Sequence, residues 1–205
     1  MKELINLILE AGLNPVIIDV DSFALENCYE LNYGWKAEET IGLIDIGASM
    51  TKMNIIKNGK NILVRDLAVG ADLCTKEIQK AFDTSYEDAE VLKLGGRIEG
   101  IPREDVVSIM EKSLERIARA VRDILASLRK EKDIEIDRVF LSGGCSLLKG
   151  IDRFFTEKID IPAEVINPFQ KIRVDEEIFD KEYIEKTGPL AAVAVGLAIR
   201  TAENR

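Results

Sequence analysis

The sequence predicts an α/β fold, in which strands and helices alternate along the chain. Asn58-Gly59 stands between two strand-like runs and favours the type I′ turn of a β-hairpin, because both residues accept positive φ. The preceding segment IGLIDIG adds a third strand, so three antiparallel strands are expected in succession. Further along, apolar residues from Val106 to Leu128 recur at spacings of three and four, which is typical of a long helix packed on a core.

The composition excludes several classes of function. The chain has 205 residues, of which 46% are hydrophobic and 32% charged, so it can bury a sizeable core. Its 28 basic and 37 acidic residues give a net charge of −9, which argues against nucleic acid as a partner. The chain has no histidine, which excludes Ser-His and Cys-His catalysis. The three cysteines lie too far apart in sequence for a zinc or dithiol motif and favour a reducing cytoplasm.

The first forty residues predict a helix, a strand and a second helix. Leu4, Leu7 and Ala11 have helical spacing, and the apolar run from Val16 to Val20 predicts a buried strand. A second helix is expected over 23–31, with Asp21 or Ser22 as its N-cap.

The rest of the chain continues the alternation. Helices are expected over 70–82, in YEDAEVLK, and from a first helical residue at Pro102. A strand over 136–141 then leads into two glycines and another helix, an order found at phosphate and nucleoside sites. Residues 171–186 predict a charged surface excursion. The apolar run 189–199 is too short to cross a bilayer and predicts a buried helix.

The first candidate site is the turn after the strand IGLIDIG. Gly47 permits a tight bend that exposes the amides of Ala48 and Ser49, and exposed amides bind phosphate oxygens. Asp45, and Thr51 just beyond the turn, complete the motif. A carboxylate suits a phosphate site if Mg²⁺ lies between the two groups. In the alternative interpretation this is a plain hairpin turn whose backbone Asp45 stabilises.

The second candidate is the double glycine in LSGGCS. Gly143 and Gly144 remove side chains where a flat ligand could lie on the backbone, and Cys145 follows at the start of the expected helix. A turn that packs a helix closely on a strand is the alternative interpretation.

In combination, the DxG turn and the later SGG turn resemble the second phosphate loop and the adenosine loop of the actin-like ATPase superfamily. In that resemblance Gly70 and Asp72 begin the smaller subdomain that overhangs the nucleotide. Glu90 and Lys93, in EDAEVLK, match the helix that approaches the nucleoside. Without the resemblance, Glu90 and Lys93 would be interpreted as an ion pair on the solvent-exposed surface of a helix.

Within the superfamily, the sequence most resembles the PilM family of type IV pilus assembly proteins. The matching segments are LIDIGAS, RDLAVGADLCTKEIQKAF, SYEDAEVLK, LSGGCSLLKGI, INPF and GPLAAVAVGLAIR. The cell-division protein FtsA is similar in its early motifs but typically ends in a basic amphipathic helix, whereas this chain ends TAENR. Lys52, Ala71 and Cys145 depart from the usual residues, and an acidic residue is often found in place of Lys52.

The resemblance implies the second domain of an actin-like ATPase, of the ribonuclease-H-like kind, over 39–205. It implies a smaller subdomain inserted at about 66–105 and the end of the first domain over 1–38. The first phosphate loop belongs to the first domain of the family, so this chain is expected to carry one half of a nucleotide cleft.

The function implied is an ATP-binding scaffold of pilus assembly, with Mg²⁺ near Asp45. The expected location is the cytoplasm, peripheral to the inner membrane through partners and without direct membrane insertion. Those partners are a PilN-like inner-membrane protein, held mostly by first-domain surfaces outside this chain, and other pilus components. A phosphotransferase or ATPase and a nucleotide-free interaction module remain the alternatives, and no residue is identified as catalytic.

Overall fold

The structure, a computed structural model, describes residues 2–175 and 177–200. A five-stranded sheet with the order β3-β2-β1-β4-β5 forms its centre. Strand β1 pairs with β2 in antiparallel orientation and with β4 in parallel orientation. The strands are β1 (Thr40–Ile46), β2 (Thr51–Lys57), β3 (Lys60–Leu67), β4 (Arg138–Ser142) and β5 (Ala163–Val165).

The three antiparallel strands predicted from the sequence are confirmed. Asn58 and Gly59 have φ of 53° and 69°, as a type I′ turn requires, and connect β2 to β3. The predicted helices also form, most of them with shifted ends, and one further helix, α7, was not predicted. The helices are α1 (Lys2–Glu10), α2 (Asp21–Tyr33), α3 (Asp72–Phe82), α4 (Tyr86–Lys93), α5 (Arg103–Lys132), α6 (Ile151–Ile159), α7 (Lys181–Thr187) and α8 (Ala192–Ala198), with 3₁₀ turns at Gly144–Leu147 and Gly188–Ala191.

Helices cover both faces of the sheet. Because side chains alternate along a strand, Ile44 and Ile46 of β1 point into the core beneath α3, α4, α5 and α6. Ile41 and Leu43 point to the opposite face, where they pack with residues of α2 and α8. Strand β1 is therefore buried on both sides.

The segment from Val16 to Val20 differs from the sequence prediction of a buried strand. It forms no strand, and Val16 is 70% exposed. Among residues 2–175 and 177–200, no strand of the sheet pairs with this segment. Helix α1 likewise has no buried residue. The predicted side-chain N-cap is wrong too, because Val20 occupies the cap of α2.

The segment after the double glycine is a second difference. A 3₁₀ turn over Gly144–Leu147 replaces the start of the predicted helix, and α6 begins only after Gly150, whose φ is 82°. Pro102 was predicted as the first residue of α5, but it is the N-cap, and the helix begins at Arg103. The charged segment 171–186 contains the first turns of α7, and the final helix is divided into a 3₁₀ turn and α8.

The predicted smaller subdomain over about 66–105 contains α3 and α4. Their buried residues Cys74, Ile78 and Leu92 belong to the same apolar cluster as the buried face of α5. The division into subdomains stays a prediction. None of the helices in the described part of the chain is long and apolar enough to cross a membrane.

Helices α2 and α8 pack backbone to backbone through Gly196. A β-carbon at Gly196 would lie 1.7 Å from the carbonyl oxygen of Ala24, so only glycine fits. An ion pair lies beside this contact: Nε of Arg200 donates to Oδ2 of Asp19 at 2.6 Å, and the Asp19 side chain is 4% exposed. This hydrogen bond from Arg200 outweighs burial and lowers the pKa of Asp19.

We predict that Gly196→Ala lowers the free energy of unfolding by at least about 2 kcal/mol, because the new methyl group forces α8 away from α2. Chemical denaturation measures the change. Gly188→Ala is the matched control, since a β-carbon there would meet its nearest neighbour, in Pro168, at 3.6 Å, an ordinary contact. Equal losses in the two variants would contradict the close-approach argument.

Candidate functional site

The candidate site lies where the parallel strands β1 and β4 end side by side. From β1 the chain turns toward β2 and β3, whereas from β4 it turns toward α6 and β5 on the other side. In open α/β sheets ligands bind in the crevice outside the carboxyl ends of strands whose connections diverge in this way. The two turns predicted from the sequence as binding loops occupy this crevice.

Asp45 joins the two turns directly. It is opposite Ser142 in the parallel register, and the hydroxyl of Ser142 donates to Oδ1 of Asp45 at 3.0 Å. Gly143 follows with φ of 82°, and a β-carbon there would lie 2.7 Å from the same carboxylate oxygen. Burial raises the pKa of Asp45, while the Ser142 hydrogen bond and the charge of Lys52 act against that rise.

The turn between β1 and β2 is the first predicted binding loop. Its amide-to-carbonyl bond from Gly47 to Met50, at 3.0 Å, leaves Ala48 and Ser49 exposed at the tip. Helix α3 begins against this turn, because the amide of Asp72 donates to the carbonyl of Ala48 at 2.8 Å. The contact depends on Gly70, at which a β-carbon would lie 2.3 Å from that same carbonyl oxygen.

Thr51, another predicted ligand, points into the protein. Its side chain is fully buried, and its hydroxyl donates to the carbonyl of Val69 at 2.8 Å. Thr51 therefore fixes the segment between β3 and Gly70 against the start of β2, and its geometry does not support a contact with a ligand.

Glu90 and Lys93 form a partly buried network with Thr75 of α3. The ammonium of Lys93 donates to the Thr75 hydroxyl at 2.9 Å and pairs with the Glu90 carboxylate, which also accepts from Thr75. Burial opposes ionisation of Glu90, but the hydrogen bonds from Lys93 and Thr75 outweigh it and lower its pKa. The pair is thus more than a solvated helix pair.

Gly144 and Cys145 have opposite environments. Gly144 is exposed, and a β-carbon there would meet only Leu190, at 3.9 Å, so a flat ligand could approach its backbone. The side chain of Cys145 is 1% exposed and packs in the core. Its thiol is therefore turned away from solvent. Lys93 and Leu147 both line a groove of about 530 Å³ that begins beside this turn.

A row of polar side chains crosses the sheet at this edge. Register places Ser142, Asp45, Lys52 and Asp66 on four neighbouring strands, on the face that α2 covers. Above the row, the ammonium of Lys52 is paired with the carboxylate of Asp21, the first residue of α2. From the sequence alone, Lys52 is only a departure from the usual family residue, and Asp21 is only a candidate N-cap.

The donor set fits phosphate better than it fits a metal ion. Ala48 and Ser49 are exposed at the turn, and exposed backbone amides are good ligands for phosphate oxygens. In residues 2–175 and 177–200, no group of three or more His, Cys, Asp or Glu side chains is placed to hold a metal ion. Mg²⁺ near Asp45 would take most of its ligands from water and phosphate. The metal role of Asp45 stays a prediction.

The family model described as type IV pilus assembly protein PilM matches residues 2–202 of this chain. The chain belongs to the PilM family. The solved PilM-PilN type IV pilus biogenesis complex is 27% identical, with a TM-score of 0.84, over 98% of this chain and 57% of that one. The chain thus spans little more than half the length of that PilM-family relative.

Two further solved structures are similar at lower identity. The ethanolamine utilization protein EutJ from Carboxydothermus hydrogenoformans is 18% identical, with a TM-score of 0.66, over 95% of this chain and 58% of that one. MreB5 of Spiroplasma citri bound to AMPPNP is 18% identical, with a TM-score of 0.67, over 97% of this chain and 62% of that one. These likenesses show the fold, and the predicted actin-like fold is confirmed.

The buried thiols predict a loss of stability in alkali. Burial raises the pKa of Cys145 from an ordinary 9.0 to about 12. Above about pH 9 the unfolded chain loses this proton while the folded chain keeps it, so the free energy of unfolding falls as pH rises toward 12. We expect the free energy of unfolding to fall more steeply with pH in the parent than in Cys145→Ala. The difference in slope is up to about 1.4 kcal/mol per pH unit. Denaturant unfolding at several pH values measures this, and parallel curves would contradict it.

Proposed function

We propose that this chain forms one wall of an ATP site in a type IV pilus assembly protein. The observation that carries the proposal is the meeting of the two turns at Asp45: the Ser142 hydroxyl donates to its Oδ1, and a β-carbon at Gly143 would lie 2.7 Å from the same oxygen. Both turns therefore keep a fixed spacing at one crevice, which suits a ligand that extends from a phosphate group to a flat base.

The exposed parts of the turns have different chemistries. The amides of Ala48 and Ser49 lie at the tip of the β1–β2 turn and suit phosphate oxygens. The open backbone of Gly144 and the polar network of Glu90 and Lys93 suit a nucleoside. The MreB5 relative that carries AMPPNP supports ATP as the nucleotide. Mg²⁺ would enter with the phosphates, near Asp45.

A scaffold accounts for the polar side chains better than an enzyme does. General-base catalysis needs a carboxylate free to accept a proton from an attacking water or hydroxyl. At this edge Asp45 accepts from Ser142, Asp21 pairs with Lys52, and Glu90 accepts from Thr75 and Lys93. Asp45, Asp21 and Glu90 are therefore already engaged, which supports nucleotide binding over phosphoryl transfer by any of these three.

We propose that the scaffold works in the cytoplasm with a PilN-like partner. Support comes from the family and from the PilM-PilN complex, to which this chain is similar. The part of the relative that this chain does not span would carry the opposite wall of the cleft and most of the partner surface.

Gly143→Ala is expected to weaken ATP binding at least about tenfold, because the methyl group pushes the turn away from Asp45 and Ile46. The effect is measured in a longer PilM-family protein that contains this sequence and is as long as the PilM of the solved complex. A fluorescent ATP analogue is titrated into this protein. Gly100→Ala is the matched control: φ is 81°, so the backbone strain is similar, but nothing lies within 4 Å of the new methyl group. If Gly143→Ala and Gly100→Ala weakened ATP binding equally, backbone strain at positive φ would explain the loss, and the contact with Asp45 and Ile46 would not.

The 205-residue chain by itself is expected to bind ATP at least about tenfold more weakly than the longer protein, since one wall provides only part of the contacts. The same titration on the two proteins compares them. Equal affinity would contradict the division of the cleft, and absence of binding in both would contradict the proposed function.

A further inference from the structure

Three large apolar side chains are exposed at the start of α7. Ile178, Phe179 and Tyr183 are 72%, 49% and 62% exposed. Helix α7 itself has no buried residue and mainly contacts the 3₁₀ turn that follows it. Single exposed apolar residues are common on proteins, but a group that contains two aromatic rings is typical of an interface. The segment is therefore a candidate docking surface.

The same segment carries a concentration of negative charge. Residues 175–187 contain six acidic and two basic residues. Glu177, Glu182 and Glu185 are exposed, and among the described residues none of the three takes part in a salt bridge. Their carboxylates are thus available to a partner of opposite charge.

Local hydrogen bonds hold the backbone of the segment in place. The carbonyl of Asp175 accepts from the amide of Phe179 at 2.9 Å. The side chain of Asp180 accepts from the amide of Tyr183 at 2.7 Å, and the hydroxyl of Thr187 donates to the Tyr183 carbonyl at 2.7 Å. Both aromatic residues are therefore positioned before a partner arrives, which lowers the entropic cost of binding.

We propose that these apolar and acidic side chains bind a basic amphipathic segment of another protein. The surface, called the α7 surface below, consists of Glu177, Ile178, Phe179, Glu182, Tyr183 and Glu185. Apolar side chains of the partner pack on the two aromatic rings, and its Lys or Arg side chains pair with the glutamates. The proposal is independent of the proposed nucleotide site, because the α7 surface includes no residue of the two turns.

Charge distinguishes this occupant from two others. An anionic lipid surface has exposed apolar contacts to offer, but its headgroups repel the glutamates. A second copy that docked through its own α7 surface would bring carboxylates against carboxylates, which is unfavourable. A basic segment is the occupant for which the apolar contacts and the charges act together.

Helix α1 offers a comparison within the same chain. Leu4 and Leu7 are 57% and 65% exposed, and α1 has no buried residue either. Residues 2–10, however, contain only two acidic residues and one basic residue. A basic peptide that responded to apolar exposure alone would bind α1 as well, whereas one that also responds to charge would prefer the α7 surface.

The probe is a short synthetic peptide with Lys on one face of a helix and Leu on the other, titrated calorimetrically into the 205-residue chain. We expect Phe179→Ser combined with Tyr183→Ser to weaken binding at least about tenfold, because the aromatic contacts are lost. Leu4→Ser combined with Leu7→Ser is the matched control and should bind the peptide like the parent. Circular dichroism checks that the variants are folded.

A second pair of variants tests the charges. Glu182→Lys combined with Glu185→Lys should also weaken binding at least about tenfold, and Glu3→Lys combined with Glu10→Lys is the matched control on α1. Raising NaCl from about 0.05 to 0.3 M should weaken binding to the parent at least about threefold, since salt screens exposed charges. The variant at positions 182 and 185 should lose this salt dependence.

Several results would overturn the proposal. They are absence of peptide binding, equal losses in the α1 and α7 variants, and equally tight binding of a peptide with Glu in place of Lys. Binding to phosphatidylglycerol vesicles that disappears in Phe179→Ser with Tyr183→Ser would identify a lipid surface as the occupant instead. A dimer in analytical ultracentrifugation that dissociates in the same variant would identify a second copy.

Discussion

The position of β1 between an antiparallel and a parallel neighbour is the constraint on which the site depends. Register with β2 places Lys52 beside Asp45, and register with β4 places Ser142 on its other side. A slip of one residue in either pairing would turn one of these side chains to the opposite face. The buried apolar residues of β1 on both faces prevent such a slip, so the core determines which charges meet at the sheet edge.

Local sequence signals were sufficient to predict most of the fold. The Asn58-Gly59 turn has the positive φ values that its residue types favour, and the long apolar stripe forms the buried face of α5. Asp45 and Gly143 were predicted separately from turn motifs, and the structure brings them together at one crevice. Their interpretation as nucleotide ligands rests on the family and on this geometry together.

Other features depend on contacts that a sequence pattern does not contain. An apolar run such as 16–20 predicts a strand, but a strand also needs a neighbour, and the described residues provide none there. The Glu90 and Lys93 network needs Thr75, which comes from another helix. In the sequence, Lys52 is only a departure from the usual family residue. Its neighbours Asp45 and Asp21 are determined by the register with β1 and by the position of α2. Cross-strand register was the missing information in that case.

The glycine contact between α2 and α8 also connects α2 with the candidate site. Helix α8 packs on α2 through Gly196, and the ion pair between Asp19 and Arg200 lies beside this contact. The 3₁₀ turn that precedes α8 contains Pro189, whose carbonyl accepts from the amide of Gly143 at 3.3 Å. A continuous series of contacts therefore connects α2, through α8 and the 3₁₀ turn, with the double-glycine turn beside Asp45.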